Sequence, residues 1–280
     1  MTVAPANADQ LAHALAILFG HAEPQIGHAF RLVARGDLNA SDFLVTRAHS
    51  SIDGAIYARR LAGGIAVIWP PRGVSGEVER ALVESAIEHV AGANVIQVFL
   101  PPDEVHRAEP LLWAGFQHVT ALWQMARSVV ATYARPECTP LLSLAHDATQ
   151  SELEATLLRA HEDSLDCPEL NRCLSPAEVL AGYDDAAPDR SQWLLARDKD
   201  RPVGVALLDS DNLMFLGAIP ERRRQGIGRW LLNRVLELAP NLYLNVDARN
   251  TPAVQLYRSA GFEVVDVREV FLYLQNSRKS

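Results

Sequence analysis

Cysteine is scarce in this 280-residue chain: Cys138, Cys167 and Cys173 are all there are, and no two stand as Cys-x-x-Cys. An odd, unspaced set builds neither a disulfide framework nor a thiolate zinc site, so reduced thiols in a cytoplasmic protein are expected. No apolar run reaches membrane-spanning length, and the first ten residues lack a basic stretch followed by an apolar one. Neither a membrane partner nor an export signal is therefore read. Gly-Lys-Ser and Gly-Lys-Thr are both missing, which excludes a Walker phosphate loop. A Gly-x-Ser-x-Gly hydrolase turn is missing too, since Gly73-Val74-Ser75-Gly76 has the wrong spacing. His161-Glu162 begins like a zinc-protease helix but meets Leu165 where the second histidine belongs, so no metal is expected. Positive charge is in deficit: a net charge of −8 argues against a nucleic-acid partner.

What is present is a large apolar fraction, 49%, in a chain long enough for two ordinary domains. Apolar periodicity predicts helices over 8–19 and 25–35, strands at 43–47, 54–58 and 64–69, a helix over 78–90, a strand at 95–100 and a short helix over 108–114. The order then repeats. Pro70 and Gly76 are spaced as Pro220 and Gly226 are, and Leu111-Leu112-Trp113-Ala114-Gly115-Phe116 lines up with Tyr257-Arg258-Ser259-Ala260-Gly261-Phe262. Tyr133 to Pro140 contains two prolines and reads as a link. The domains expected are thus 1–132 and 141–280, joined by 133–140. In the second, helices are predicted at 151–161 and from Ser175, where Ser175-Pro176-Ala177-Glu178 forms a capping box, and strands at 192–197 and 203–208.

The most informative stretch follows the apolar run Leu213 to Leu216: Ala218-Ile-Pro-Glu-Arg222-Arg223-Arg224-Gln225-Gly226-Ile227-Gly228-Arg229. Strand, glycine-bearing turn and helix succeed one another. Gly226 and Gly228 allow positive φ and close approach of a ligand, and the free amides at a helix start attract an anion. Four arginines around the turn strengthen that pull, so a phosphate group is expected here. Downstream, Leu242 to Val246 alternates as a strand. Asn250 or Thr251 then caps a helix with Pro252 at its start and Gly261 at its end.

Together these two runs resemble the acetyl-CoA signature of the GCN5-related N-acetyltransferases, the GNAT superfamily. Arg223-Arg224-Gln225-Gly226-Ile227-Gly228 fits the phosphate turn at every fixed position, and Asn250, Leu256-Tyr257 and Gly261-Phe262 fit the second half. The resemblance implies an α/β fold of two GNAT-like domains, each a mixed, mostly antiparallel sheet flanked by helices, in a tandem layout similar to that of mycothiol synthase. It implies acetyl-CoA as co-substrate and an amine as acceptor. The cofactor would lie on Arg223, Arg224, Gln225, Gly226, Ile227, Gly228 and Arg229, with its pantetheine along Leu216, Gly217 and Ala218. Asn250 would touch the pantetheine, cap the helix, or do both. Gly217 suits close approach or a bulge. Tyr257 would give a proton to the departing thiolate, as a phenol still protonated at neutral pH can.

In the first domain Gly73, Val78, Glu104 and Leu111 stand opposite Arg223, Gly228, Asn250 and Tyr257, so that copy reads as a degenerate echo without the usual acetyl-CoA site. The polar, proline-broken loop Asp163 to Asn171 lies between the two helices that cover the acceptor side in this superfamily. Asp166, Glu169 and Asn171 are its candidate acceptor contacts, a plain surface loop being the alternative. No general base is evident, because Asn212 to Leu216 carries no carboxylate. A non-catalytic acyl-CoA-binding or assembly module is the rival reading, and the oligomeric state is not legible.

Overall fold

A computed structural model describes residues 2–20, 22–48, 51–127, 142–145 and 147–275. Its contacts divide the chain into two units, residues 1–119 with 269–280, and residues 120–268. The expected link at 133–140, Cys138 within it, and Leu141, the first residue expected of the second domain, lie outside the described residues.

The first unit runs β1 (Val3–Pro5), α1 (Ala8–Leu18), α2 (Glu23–Arg35), β2 (Phe43–Ala48), β3 (Ser51–Arg60), β4 (Ile65–Ile68), β5 (Arg72–Gly73), α3 (Gly76–His89), β6 (Val95–Leu100) and α4 (Glu109–Trp113). Strands β1 to β4 are antiparallel neighbours in order, β5 lies on β3, and β4 pairs parallel with β6. Leu11, Leu15, Phe43 and Tyr57 form a core on the α1 side, while Val78, Leu82, Val83 and Ala86 of α3 pack a second core against Ile56, Ile96 and Val98.

The second unit takes the latter part of β7 (Gln117–Arg127), then β8 (Leu142–Leu144), α5 (Gln150–His161), α6 (Pro168–Asn171), α7 (Pro176–Ala186), β9 (Trp193–Asp198), β10 (Arg201–Asp209), β11 (Asn212–Ala218), α8 (Ile227–Leu238), β12 (Leu242–Asp247) and α9 (Thr251–Ser259). Its sheet order is β7-β12-β11-β10-β9-β8, antiparallel except at β11–β12. Ile227, Trp230, Leu231 and Val235 recur at the helical period, which turns that stripe of α8 onto the sheet. Capping boxes at Thr149/Glu152 and Ser175/Glu178 fix the starts of α5 and α7 on the other face.

Each unit is a mixed, mostly antiparallel sheet between helices, as expected. Two long strands, β7 and β13 (Glu263–Leu274), are not among the elements the sequence predicts, and α6 stands in a stretch read as irregular. β13 also makes the first unit discontinuous: its residues 269–274 pair antiparallel with β6, Glu269 opposite Leu100 and Leu274 opposite Val95. Among the described residues no helix is long and apolar enough to cross a membrane.

The β10–β11 hairpin beneath α8 is closely packed at Gly204. A methyl group there would stand 2.9 Å from the Gly217 carbonyl oxygen and 2.9 Å from Ile227 Cγ2. Backbone cannot retreat as a side-chain tip can, so Gly204→Ala should cost about 1–3 kcal/mol, seen as a lower urea midpoint with unchanged slope.

Candidate functional site

β11 and β12 are paired for only two residues, Asn212 with Tyr243 and Leu213 with Leu244. At that point the β10–β11 register shifts: Leu208 faces Leu213 but Leu207 faces Phe215, leaving Met214 as a bulge. Beyond the bulge β11 continues to Ala218 bonded to β10 alone, so one backbone edge, Met214 to Ala218, has no strand beside it. A cavity of about 940 Å³ occupies the gap. Its walls come from β11 and β12, the turn before α8, the start and outer face of α9, and the loop after α5.

At one end is the turn. Gly226 is the N-cap of α8 with φ +83° and offers no side-chain cap, so the first amides of the helix are left to a ligand. A Cβ added to Gly226 would meet nothing within 4 Å, which puts open space against that backbone. Arg224 also has positive φ, +57°, costly for a residue with a Cβ and a feature of ligand-binding turns. Arg224 and Arg229 are exposed and make no hydrogen bond or ion pair among the described residues, so both charges are available.

The other arginines are committed. Arg223 lines the cavity, but its guanidinium donates to the carbonyls of Ala160 (3.2 Å), Glu162, Asp163 (3.2 Å) and Ala218 (3.3 Å). It thus caps the C-terminal end of α5 instead of presenting a free charge to a phosphate. Arg222 bonds Asp198 at 2.7 Å and Gln225 at 2.8 Å, and Gln225 in turn donates to the Glu221 carbonyl. Ile227 is buried in the core, so only its backbone faces the turn.

Along the open edge lie Leu216, Gly217 and Ala218. Gly217 is required where it is, because a Cβ would fall 2.8 Å from the Phe215 ring and 3.2 Å from Ala160 Cβ. Gly228 faces Leu216 and Leu256 at the ordinary contact distance of 3.6 Å. Asn250 lines the cavity and also caps α9, its Oδ1 accepting from the Ala253 amide at 3.4 Å.

Tyr257 stands on the same wall, 7% exposed, its ring 5.7 Å from that of Phe262. Burial, then the negative charge of Asp166, pushes its phenol above the ordinary value, which keeps it protonated at neutral pH.

Of the three loop residues expected to meet an acceptor, Asp166 lines the cavity; Glu169 and Asn171 do not. Glu169 forms a two-pronged ion pair with Arg249 at 2.8 and 2.9 Å, and Asn171 donates to the Asp166 carbonyl at 3.4 Å. Asp163, Ser164 and Leu165 complete that wall. The sequence reading passes over the residue that anchors it, Asp247. This carboxylate is fully buried at the end of β12 and accepts from Thr120 Oγ1 (2.6 Å), the Cys167 amide (3.1 Å), and the amide and guanidinium of Arg249 (2.8 and 2.7 Å). Its own amide donates to Asp166 Oδ1 at 2.8 Å. An acid three residues before the expected cap, with an arginine two residues on, is the only local signal it leaves in the sequence. Burial first, then the charges of Glu169, Asp247 and Asp166, push the Cys167 thiol up to about 12, so it is no thiolate and no nucleophile. Among the described residues no group of three or more His, Cys, Asp or Glu is placed to hold a metal.

With this geometry in view, the comparisons are specific. Residues 157–262 match the model of the acetyltransferase (GNAT) family. Over 94 residues, 34% of this chain and 65% of the relative, the sequence is 39% identical to the peptidyl-lysine N-acetyltransferase YjaB of Salmonella typhimurium. The chain thus spans just under two thirds of that relative. A GCN5-related N-acetyltransferase from Sphaerobacter thermophilus superposes with a TM-score of 0.66 at 17% identity, covering 98% of this chain and 95% of its own. A tandem GNAT protein from the clavulanic acid biosynthesis pathway gives 0.54 at 13%, covering 99% of both. The second unit thus matches the GNAT acetyltransferase family, and the chain as a whole shares the fold of a tandem GNAT protein. The GNAT family model falls entirely within the second unit, where the open turn and the cavity are.

Asp247 should be the keystone of the second unit's cavity. Burial pushes its carboxyl up, but the bonds from Arg249 and Thr120 outweigh that and hold it below the ordinary value. A depressed folded pKa stabilises above the unfolded value and is lost as pH falls through the folded one. Asp247→Ala should therefore cost about 3 kcal/mol at pH 7, the low end for breaking such a pair because Arg249 is 42% exposed and can rehydrate. Urea melts should show the gap between wild type and variant closing below about pH 4, the range in which carboxylates protonate.

Proposed function

We propose that the second unit transfers an acetyl group from acetyl-CoA to a primary amine. What carries this reading is the junction of three features on one cavity: an uncapped helix start flanked by two free arginines, an unpaired strand edge, and a buried phenol. The pyrophosphate would sit on the amides of Ile227, Gly228 and Arg229, with Arg224 and Arg229 neutralising its charge. The pantetheine would add its amides to the open edge at Leu216 to Ala218, which explains why a strand should leave its neighbour there. Its thioester then points along the cavity to Tyr257, which donates as sulfur departs. The relatives' names, which specify peptidyl-lysine, favour a lysine-type amine as acceptor. Free Cys167 and Cys173 are compatible with work in the cytoplasm.

The first unit lacks the equivalent opening. At the start of α3 the Ser75 side chain accepts from the Val78 amide, and Glu79 accepts from the Gly73 amide at 3.1 Å. One amide of the helix start and one of the strand before it are thus taken, the second by a carboxylate of the chain itself. Val78, opposite Gly228, fills the remaining space: its Cγ1 lies 2.6 and 2.7 Å from where Cβ atoms of Gly54 and Gly73 would stand. Titration calorimetry of the whole chain with acetyl-CoA should therefore give one site; two would refute the assignment of the first unit as empty.

Tyr257→Phe should leave acetyl-CoA affinity within a few-fold and lower turnover roughly ten- to a thousandfold, the span associated with losing a proton donor. Thiol release in the presence of a lysine peptide is the measurement. Unchanged turnover would hand proton donation to water, and acetyl-CoA binding without turnover on any amine would favour a binding module.

A further inference from the structure

The acetyl-transfer reading leaves one proton without a destination. An amine acceptor arrives as an ammonium ion at neutral pH and cannot attack until it loses a proton. β11 offers no carboxylate, its residues being Asn212-Leu-Met-Phe-Leu-Gly-Ala218. His161, the titratable ring nearest that strand, is stacked on Phe215 at 5.3 Å with its Nε2 3.1 Å from the Tyr183 hydroxyl, and it does not line the cavity.

We propose that Asp166 is the general base, taking the proton of the acceptor ammonium from the loop side of the cavity. Asp166 shares the cavity wall with Tyr257, close enough for its charge to act on the phenol. Its Oδ1 is fixed by the Asp247 amide at 2.8 Å and its carboxylate is also bonded by the Asn250 side chain. The loop carrying it is held at both ends, by Arg223 on the carbonyls of Ala160, Glu162 and Asp163 and by Asp247 on the Cys167 amide. This is the support a catalytic carboxylate needs to stay aimed.

The surroundings suit the task. Asp166 is an exposed residue whose carboxyl is nonetheless closely surrounded by protein, and the cavity it lines admits solvent to it. A bound acceptor would remove that solvent. The ionisable groups facing it are Asp247 at the end of β12, Arg249 in the following turn, Tyr257 on α9, Tyr183 on α7, Cys167 beside it, and Asp163 on the same wall. Burial, with the charge of Asp247, outweighs the bonds from the Asp247 amide and Asn250 and the pull of Arg249, and raises its pKa. A raised value narrows the gap to the amine and makes proton transfer easier.

The step balances. Asp166 accepts one proton from the ammonium, and the freed lone pair forms the carbon–nitrogen bond to the thioester carbonyl. The carbon–sulfur bond breaks with its electron pair on sulfur, which takes the phenolic proton of Tyr257. The extra proton on the new amide nitrogen restores the phenol, and Asp166 returns its proton to solvent.

Asp166→Asn keeps an oxygen for the Asp247 amide and removes only the charge. The measurement is kcat/KM against pH for the full chain, with a peptide bearing one internal lysine and with the diamine cadaverine, followed by thiol release. Asp166→Asn should lower kcat/KM about a hundredfold or more at pH 7 and abolish the rising acid limb. The defect should shrink above about pH 10, where the amine deprotonates unaided. Acetyl-CoA affinity should stay within about threefold, and Asp166→Glu should recover part of the rate and of the limb. Thermal stability at pH 7 should be equal or higher, since a group whose folded pKa is raised destabilises the fold once ionised, and asparagine removes that charge. A variant within about threefold of wild type across the pH range, or one whose loss is uniform in pH and tracks a fallen Tm, would overturn the proposal. The proposal rests on the acetyltransferase reading, and the outcomes separate the two: an active wild type with an unaffected variant sinks Asp166 alone, whereas a wild type inert toward both amines sinks both.

Discussion

The second unit is organised by a break in its own hydrogen bonding. Two parallel strands normally continue side by side, but β11 and β12 part after Leu213 and Leu244, and the Met214 bulge turns β11 away at the same residue. Unpaired backbone in a sheet interior is costly unless something bonds it. The chain therefore holds an unfilled requirement along Met214 to Ala218 and an unfilled set of helix amides at Ile227 to Arg229, both facing one cavity. An elongated ligand with amide groups at its middle and phosphates at one end meets both. The cavity is a consequence of those two deficits.

The two units show what closes such an opening. They share the element order and the parallel pair flanking it, β4–β6 in one and β11–β12 in the other. In the first, β4 and β6 are paired for three residues, the Val78 amide of α3 is spent on Ser75, and the Gly73 amide before the helix on Glu79. Val78 then packs against Gly54 and Gly73 where the second unit has Gly228 facing the cavity. Each change improves the fold of the unit taken alone: a cap contributes about 1 kcal/mol and a buried valine about as much or more. Losing a ligand site is, in this sense, the downhill direction, and retaining one means leaving helix amides uncapped.

Much of this was legible in the sequence because it is local. Glycine at 226 and 228, the capping box at Ser175, and the helical period of α3 each depend on residues within one or two turns, and the structure has them where the spacing puts them. What was not legible is set by partners far along the chain. β7 and β13 carry no clean alternation, and β13 crosses from one unit to the other at residue 268, so neither periodicity nor a single domain cut predicts it. Arg223 shows the same limit within the motif. Its position fits a phosphate ligand, but the carbonyls of Ala160, Glu162 and Asp163 reach it first. Glu169 reads as a polar loop residue facing a substrate until Arg249, 80 positions away, engages both its oxygens.

Asp247 links these scales. It is buried, a carboxylate, and bonded to the strand beside it, the turn after it and a loop 80 residues away. An acid in that position is expensive to desolvate, and a hydrophobic residue would fill the volume more cheaply. No hydrophobic residue could accept from Thr120, Cys167 and Arg249 at once, and without those bonds Cys167, held at φ +44°, would relax toward an ordinary conformation and carry the loop with it. The carboxylate thus trades stability for the placement of one wall. That wall holds Asp166 on the same cavity as Tyr257, the proposed base and the proposed acid of one reaction. Filling the cavity would remove the water that now reaches them and strengthen every charge interaction between them. Proton transfer would then be favoured most when both substrates are in place, and an empty site would spend little on it.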